Sequence, residues 1–384
     1  MIRSRRHHAD LQSSKQSRPR HNLNRTVRRV GTAAAIGAAG LAAGVATGVT
    51  IGAAAAGVLG WKLFRASAHP ENWRGKVVAI TGGSRGLGLA LAHEAARQGA
   101  RLAICARDQQ ELEGARRQIG IHAEVGTYVC DVTNYDEVVH WISSVRSDFG
   151  QIDVLINNAG QISVGPLESQ TLTDFQEALD VMYWGMVYPT LAVLPHMKSR
   201  GQGSIANITS VGGKVSVPHL LPYCSAKFAA VGFSEGLHAE LAKSGIHVTT
   251  VVPGLMRTGS HLNAHFKGDH RGEFTWFSLG ATLPISSISA ESAARKIVSA
   301  IRHHRAEIVL SPQAKALTVV HGVAPGLTAE LMGVVNRVLP PAQGDPNTRH
   351  TGSESETAVT RSFVTRLGRR AARSWNQGPA TQAS

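Results

Sequence analysis

Tyr223 and Lys227 stand four residues apart in LPYCSAKFAAVGFSEGL, a segment with helical periodicity. That spacing puts both side chains on one helix face. A free phenol keeps its proton up to a pH of about 10, and a neighbouring ammonium favours the phenolate and lowers that value. The pair could therefore act as a general acid near neutral pH. A second group of residues is suited to phosphate. Thr81 to Gly88 reads TGGSRGLG, after the β-branched run KVVAI and before the helix-like run LGLALAHEAARQ. In such a strand-to-helix turn Gly82 permits the tight bend. Gly86 and Gly88 remove side chains that would hold a pyrophosphate off the backbone and the helix off the sheet. The N–H groups of the new helix then face the phosphate.

Both groups need a scaffold, and the hydrophobic pattern supplies one. Strand-like runs fall at 76–81, 101–106, 122–129, 152–156, 203–208, 246–252 and 307–310. Helix-like runs fall at 86–99, 108–119, 134–149, 171–199, 221–244 and 290–303. Such alternation predicts an α/β fold, a parallel sheet of about seven strands with helices on both faces. An unbroken set of this kind argues for one domain over 76–310, and no internal repeat suggests a solenoid. Residues 255–289 interrupt the alternation as a long loop carrying Phe266, Phe274, Trp276 and Phe277. Residues 311–341 read as an apolar helical extension, broken at Pro325-Gly326 and stopped at Leu339-Pro340-Pro341.

The net charge of +14 is uneven. Residues 1–29 hold nine Lys/Arg against Asp10 and read as a disordered basic arm. Residues 342–384 hold six Arg against three acids and read as a disordered tail. Within that tail Phe363, Leu367, Ala371 and Trp375 recur every four residues among arginines, a basic amphipathic helix suited to an anionic membrane surface or a solvated tail. With the excess confined to terminal arms, nucleic acid is not an expected partner. Val30 to Trp61 is uncharged and Ala/Gly-rich. As one helix it would be about 48 Å long, enough to cross a bilayer. Gly40, Gly44, Gly48 and Gly52 would line one smooth face for helix association. A flexible linker and an export signal ending at Ala66-Ser67-Ala68 are the other readings, and 62–75 is a linker to the main domain. Cys105, Cys130 and Cys224 lack metal spacing and read as reduced thiols, and the histidines give no ligand pattern, so no metal is expected.

Further motifs follow the strands in order. Asn157-Asn158-Ala159-Gly160 comes after IDVLI. Ser210 ends SIANITS, thirteen residues before Tyr223. Pro253-Gly254 follows HVTTVV, with Thr258 four residues on. Together with the glycine turn and the Tyr–Lys pair, these resemble the short-chain dehydrogenase/reductase family over about 74–310. The resemblance implies a Rossmann-type doubly wound fold and hydride transfer between a nicotinamide cofactor and a carbonyl/alcohol pair. It implies that Gly82, Ser84, Arg85, Gly86, Leu87 and Gly88 hold the cofactor phosphates and ribose, and that Asp131 and Val132 meet the adenine. Asn158, Ala159 and Gly160 would lie along the cofactor, and Pro253, Gly254 and Thr258 would flank the nicotinamide. Tyr223 would protonate the carbonyl oxygen. Lys227 would bind the ribose hydroxyls and lower the phenol's pKa, and Ser210 would place the carbonyl. Met182 departs from the family pattern, standing where an Asn usually helps hold a relay water.

Charge selects the cofactor. NAD enzymes usually carry an acid at the end of the second strand, for the ribose 2′-OH. Here that place reads Ala106-Arg107, with Arg85 in the glycine turn. Two guanidiniums favour a 2′-phosphate, hence NADP. The sequence thus predicts an NADP-dependent oxidoreductase acting on a lipophilic small molecule. It would be membrane-associated with a cytoplasmic catalytic domain, and a homo-oligomer through helices 171–199 and 221–244. The competing class is a non-catalytic, cofactor-binding tether, which has no need to keep Ser210, Tyr223 and Lys227 together.

Overall fold

The five residues in a row of Val77–Thr81 are all buried, as a strand covered on both faces requires. The computed structural model describes residues 70–377, apart from 121–122, 344–347 and 363–364. The basic arm, the apolar run 30–61 and the first part of the linker lie outside the described residues, as do Phe363 and positions 378–384 of the tail. No helix among the described residues is long and apolar enough to cross a membrane.

In chain order the first half contains β1 (Val77–Thr81), α1 (Gly86–Arg97), β2 (Arg101–Ala106), α2 (Gln109–Ile119), β3 (Val125–Val129), α3 (Tyr135–Phe149), β4 (Val154–Asn157) and β5 (Ser163–Val164). Then come α4 (Leu172–Leu179), α5 (Gly185–Arg200), β6 (Gly203–Ile208), α6 (Leu221–Glu240), β7 (Ile246–Val252), β8 (Leu255–Arg257) and β9 (His265–Phe266). The chain continues with α7 (His270–Thr282), β10 (Ser287–Ser289), α8 (Ala290–Arg302), β11 (Glu307–Val309), α9 (Pro312–Val323), α10 (Pro325–Asn336), β12 (His350–Thr351) and α11 (Arg366–Ser374).

The main sheet has seven strands in the order β11-β7-β6-β4-β1-β2-β3, and every neighbouring pair is parallel. The chain winds outward from β1 to β3, then restarts beside β1 with β4. The strand order therefore reverses between β1 and β4, which opens a crevice at their carboxyl ends, the usual ligand position in such sheets. Two apolar layers cover the sheet. On one side Leu89, Leu91, Ala293, Ala294 and Ile297 pack with Ile80, Ile104 and Ile156. On the other, Trp141, Val145, Val193 and Met197 pack with Ala79, Leu155 and Ile205.

Three sequence expectations are corrected. The helix read over 171–199 is two helices joined by a π-helical turn at Asp180–Trp184. The loop read over 255–289 is folded: it forms β8, β9, α7 and β10, and Phe266, Phe274 and Phe277 are buried in a third apolar cluster. Its strands are too short to show a period, and α7 contains two glycines, so burial outweighs weak propensity. The tail read as disordered over 342–384 is ordered through much of 348–377. Within it β12 pairs with β9, Arg349 binds Asp174 at 2.9 Å and Glu177 at 2.5 Å, and α11 buries Ala372. Polar composition signals disorder only when no partner surface waits for the chain.

Candidate active site

α6 begins Leu221-Pro222, with proline in the first turn, where it has no N–H bond to lose. One turn in, Tyr223 and Lys227 share a face, with the Lys227 ammonium 5.9 Å from the centre of the phenol ring. Lys227 is 4% exposed, and its Nζ donates to the Ile208 carbonyl at 2.9 Å, at the end of β6. Burial pulls this amine down from 10.5 to about 8. Ser210 follows two residues after β6. Its Oγ accepts the Gly212 N–H at 3.0 Å, so the hydroxyl proton is free to point elsewhere. A Cβ placed on Gly212 would lie 3.1 Å from the Tyr223 ring and 3.4 Å from Ser210 Oγ, so the two side chains face the same small space. Burial pushes the Tyr223 phenol up to about 12, while hydrogen bonding by Ser210 pulls the other way. The lysine-driven lowering expected from the sequence is thus overridden: desolvation dominates and Lys227 is itself short of charge stabilisation.

Buried polar links hold this arrangement. Asn157 donates to Thr190 Oγ1 at 3.0 Å and to Asn207 Oδ1 at 2.8 Å. Asn207 donates to Ser234 Oγ at 3.0 Å, and Ser234 meets Thr250 at 2.7 Å. The chain of bonds runs through β4, β6 and β7 and fastens α5 and α6 to the sheet. The Val211 N–H bonds the Pro253 carbonyl at 2.8 Å, tying the turn that carries Ser210 to the turn after β7.

The family model for short chain dehydrogenases matches residues 76–265. The chain is 33% identical over 257 residues to a dehydrogenase/reductase SDR family protein 7-like protein of Anopheles gambiae, covering 65% of this chain and 79% of that protein. It is 33% identical over 253 residues to the putative oxidoreductase SadH of Mycobacterium tuberculosis, covering 65% of this chain and 91% of that one. The chain belongs to the short-chain dehydrogenase/reductase family. Among solved structures, a short-chain dehydrogenase from Streptomyces avermitilis superposes with a TM-score of 0.60 at 28% identity, over 68% of this chain and 97% of that one. The protein is therefore an oxidoreductase of a family that works with a nicotinamide cofactor and small-molecule substrates.

The glycine turn fits a bound dinucleotide of the kind this family uses. Gly86 has φ +58°, and a Cβ on Gly88 would run into the Gly82 carbonyl, so neither position admits a larger residue without strain. Arg85 caps α1 without a side-chain bond to the helix, and the first N–H group, that of Gly86, donates instead to the Trp375 carbonyl at 2.7 Å. Leu87 is buried behind the turn. Asn158 and Ala159 serve the turn itself: both backbone N–H groups donate to Thr81 Oγ1, at 2.9 and 3.0 Å, and Asn158 Nδ2 reaches the Thr81 and Gly82 carbonyls. Gly160 opens onto Lys227 and Met182, each within 3.9 Å of where its Cβ would be. Asp131 accepts from the Thr133 N–H and hydroxyl at 2.9 and 2.8 Å, and Val132 packs against Gly185. Pro253 lies beside Val211 through its carbonyl, and Gly254 lies against Ser311, whose Oγ would be 2.9 Å from a Cβ there. Thr258 is buried, with its hydroxyl on Ser260.

The two arginines read as phosphate ligands are placed differently. Arg107 is exposed just past the end of β2. Arg85 is held by Glu111, its Nη1 2.9 Å from Oε1, while Ser84 Oγ donates to the other carboxylate oxygen at 2.9 Å. Sequence reasoning passed over Glu111, which looks like one more polar residue of a solvated helix. It also passed over Thr81, although a threonine directly before a glycine turn was visible. Of the tail residues that reach this turn, Trp375 was visible as the last of an amphipathic stripe whose contact surface the sequence did not show, and Asn376 and Gln377 carried no local signal.

Proposed function

We propose that this protein is an NADP(H)-dependent oxidoreductase that interconverts a carbonyl and an alcohol on a lipophilic small molecule. The observation that carries the reading is the grouping of Ser210, Tyr223 and Lys227 beside the crevice between β1 and β4. A bound nicotinamide would supply or accept the hydride. Tyr223 holds its proton at neutral pH, and the Ser210 hydrogen bond, which draws its pKa down against the rise that burial causes, favours giving that proton to a carbonyl oxygen. Ser210 takes its backbone bond as an acceptor and keeps its own proton for that same oxygen, which orients the substrate and stabilises developing charge. Lys227 spends one proton on the Ile208 carbonyl and retains two donors for ribose hydroxyls. Met182, 1% exposed, adds an apolar surface under this site and cannot replace a side-chain amide as a water ligand. A lipophilic substrate is favoured because the Tyr223 ring packs onto the cluster built from Leu220, Leu262, Phe266, Phe274 and Phe277.

NADP is favoured by Arg85 and Arg107, with Arg85 exchanging Glu111 for the 2′-phosphate. A specific observation supports NAD as the second reading: Glu111 already lies on Ser84 and Arg85, where a carboxylate could take a ribose hydroxyl. Membrane attachment through 30–61, with a cytoplasmic catalytic domain, is supported by the length of that uncharged run and the need for a cytosolic reductant. Self-association through α5 and α6 is supported by Leu191, 51% exposed, and Phe228, 41% exposed. The test is an NADPH-oxidation screen over aldehydes, ketosteroids and 3-oxoacyl thioesters, repeated with Tyr223→Phe. The variant is expected to lose at least about 100-fold in turnover while still binding cofactor. Turnover within threefold of the unmodified protein would overturn the assignment.

A further inference from the structure

The carboxyl-terminal segment lies on the glycine turn. The Gly86 N–H, at the first residue of α1, donates to the Trp375 carbonyl at 2.7 Å. Asn376 Nδ2 donates to the Ser84 carbonyl at 3.2 Å, and Gln118 holds the Asn376 side chain from the other side at 2.7 Å. The Gln377 amide fills the space in front of Gly86, where a Cβ would collide with it. Gln377 is anchored in turn by Asn263, whose Nδ2 reaches the Gln377 carbonyl at 3.1 Å and its Oε1 at 2.5 Å. Trp375 is 8% exposed and Gln377 6%, so these are packed residues. Trp375 also meets His93 of α1 edge to face, with ring centres 5.8 Å apart. Upstream, α11 crosses the segment after β8, where a Cβ on Gly259 would run into Ala372. The tail therefore joins the β1–α1 turn to the 258–263 segment.

We propose that residues 365–377 are a built-in competitor of the cofactor, covering the diphosphate cradle until they are displaced. This rests on the reading of the glycine turn as that cradle. The space in front of Gly86 is what a pyrophosphate needs to approach the backbone, and Gln377 stands in it. The Gly86 N–H cannot serve Trp375 and a phosphate together. The cofactor's apparent affinity is then reduced by the fraction of molecules in which the tail is docked. On the turn itself the tail is held, among the described residues, by two hydrogen bonds, Gly86 to Trp375 and Asn376 to Ser84, and by no ion pair; Asn263, Gln118 and His93 hold it from outside the turn, so a cofactor must outcompete those contacts as well. By linkage, whatever draws the tail away tightens cofactor binding by the same factor.

Hydrogen exchange on the unmodified full chain tests this, with and without saturating NADPH or NADH, beside fluorescence titration of both cofactors. Exchange across 365–377 is expected to rise at least tenfold when cofactor binds. The full-chain double variant Asn376→Ala/Gln377→Ala is expected to bind cofactor at least fivefold more tightly. Saturable binding with unchanged tail protection, and unchanged affinity in the double variant, would overturn the competitor and leave the cofactor reading intact. No binding of either cofactor by the full chain or the double variant would overturn both.

Discussion

Replacing Lys227 by Met should make the protein more stable at neutral pH while removing its activity. The amine is 4% exposed and its pKa is pulled from 10.5 to about 8 by burial alone. Holding it protonated in the native state at pH 7 therefore costs about 3 kcal/mol relative to the unfolded chain. Methionine has a similar length and no charge, a swap that nearly conserves volume. The substitution also orphans the Ile208 carbonyl, which returns about 1–2 kcal/mol of that gain. A net stabilisation of about 1–2 kcal/mol remains at pH 7. Its pH dependence has a defined sign. Below about pH 8 the amine is charged in both states and the full cost is present. Between about 8 and 10.5 the unfolded chain binds the proton that the native state has lost, so the unmodified protein gains stability as pH rises. The advantage of Lys227→Met should fade across that window. Urea unfolding of both proteins at pH 7 and pH 10 measures it, because every other titrating group is common to the pair. A variant less stable at pH 7, or a difference that does not shrink by pH 10, would refute the buried-amine argument.

Arg107→Ala should weaken NADPH binding roughly tenfold and leave NADH binding within twofold, since a charge-assisted contact contributes about 1.5–3 kcal/mol; equal cofactor affinities in the unmodified protein would refute the charge reading. Thr81→Val should cost about 2–4 kcal/mol by leaving the Asn158 and Ala159 N–H groups without their acceptor, and should loosen the glycine turn; thermal unfolding and a rise in cofactor Kd would register both effects. Full-length protein should sediment with membranes and a version starting at His69 should not, with the domain protected from protease in sealed spheroplasts; full-length protein in the soluble fraction would remove the anchor, and external digestion would reverse the orientation.

The alternating strand and helix runs were legible because the central strands β1, β2, β4, β6 and β7 are apolar and buried and helices such as α1, α3 and α8 carry a buried stripe, so local pattern and tertiary placement agree there. The turn at Gly82–Gly88 and the Tyr223–Lys227 spacing were legible for the same reason: both are fixed by short stretches of backbone whose geometry depends on neighbours in sequence. What the tertiary structure decided depends on residues far apart in the chain. The phenol's shift to about 12 is set by how deeply α6 packs against the sheet, which no spacing encodes. Arg85 reads as a free cation until α2 brings Glu111 to within 2.9 Å. The segment 255–289 reads as loop until Phe266, Phe274 and Phe277 find one another. The polar tail reads as disordered until Arg349 meets Asp174 and Trp375 meets the Gly86 N–H. In each case the deciding energy is desolvation or a long-range polar contact. Such terms exist only once the chain has folded, whereas hydrophobic period and turn chemistry act along the chain itself.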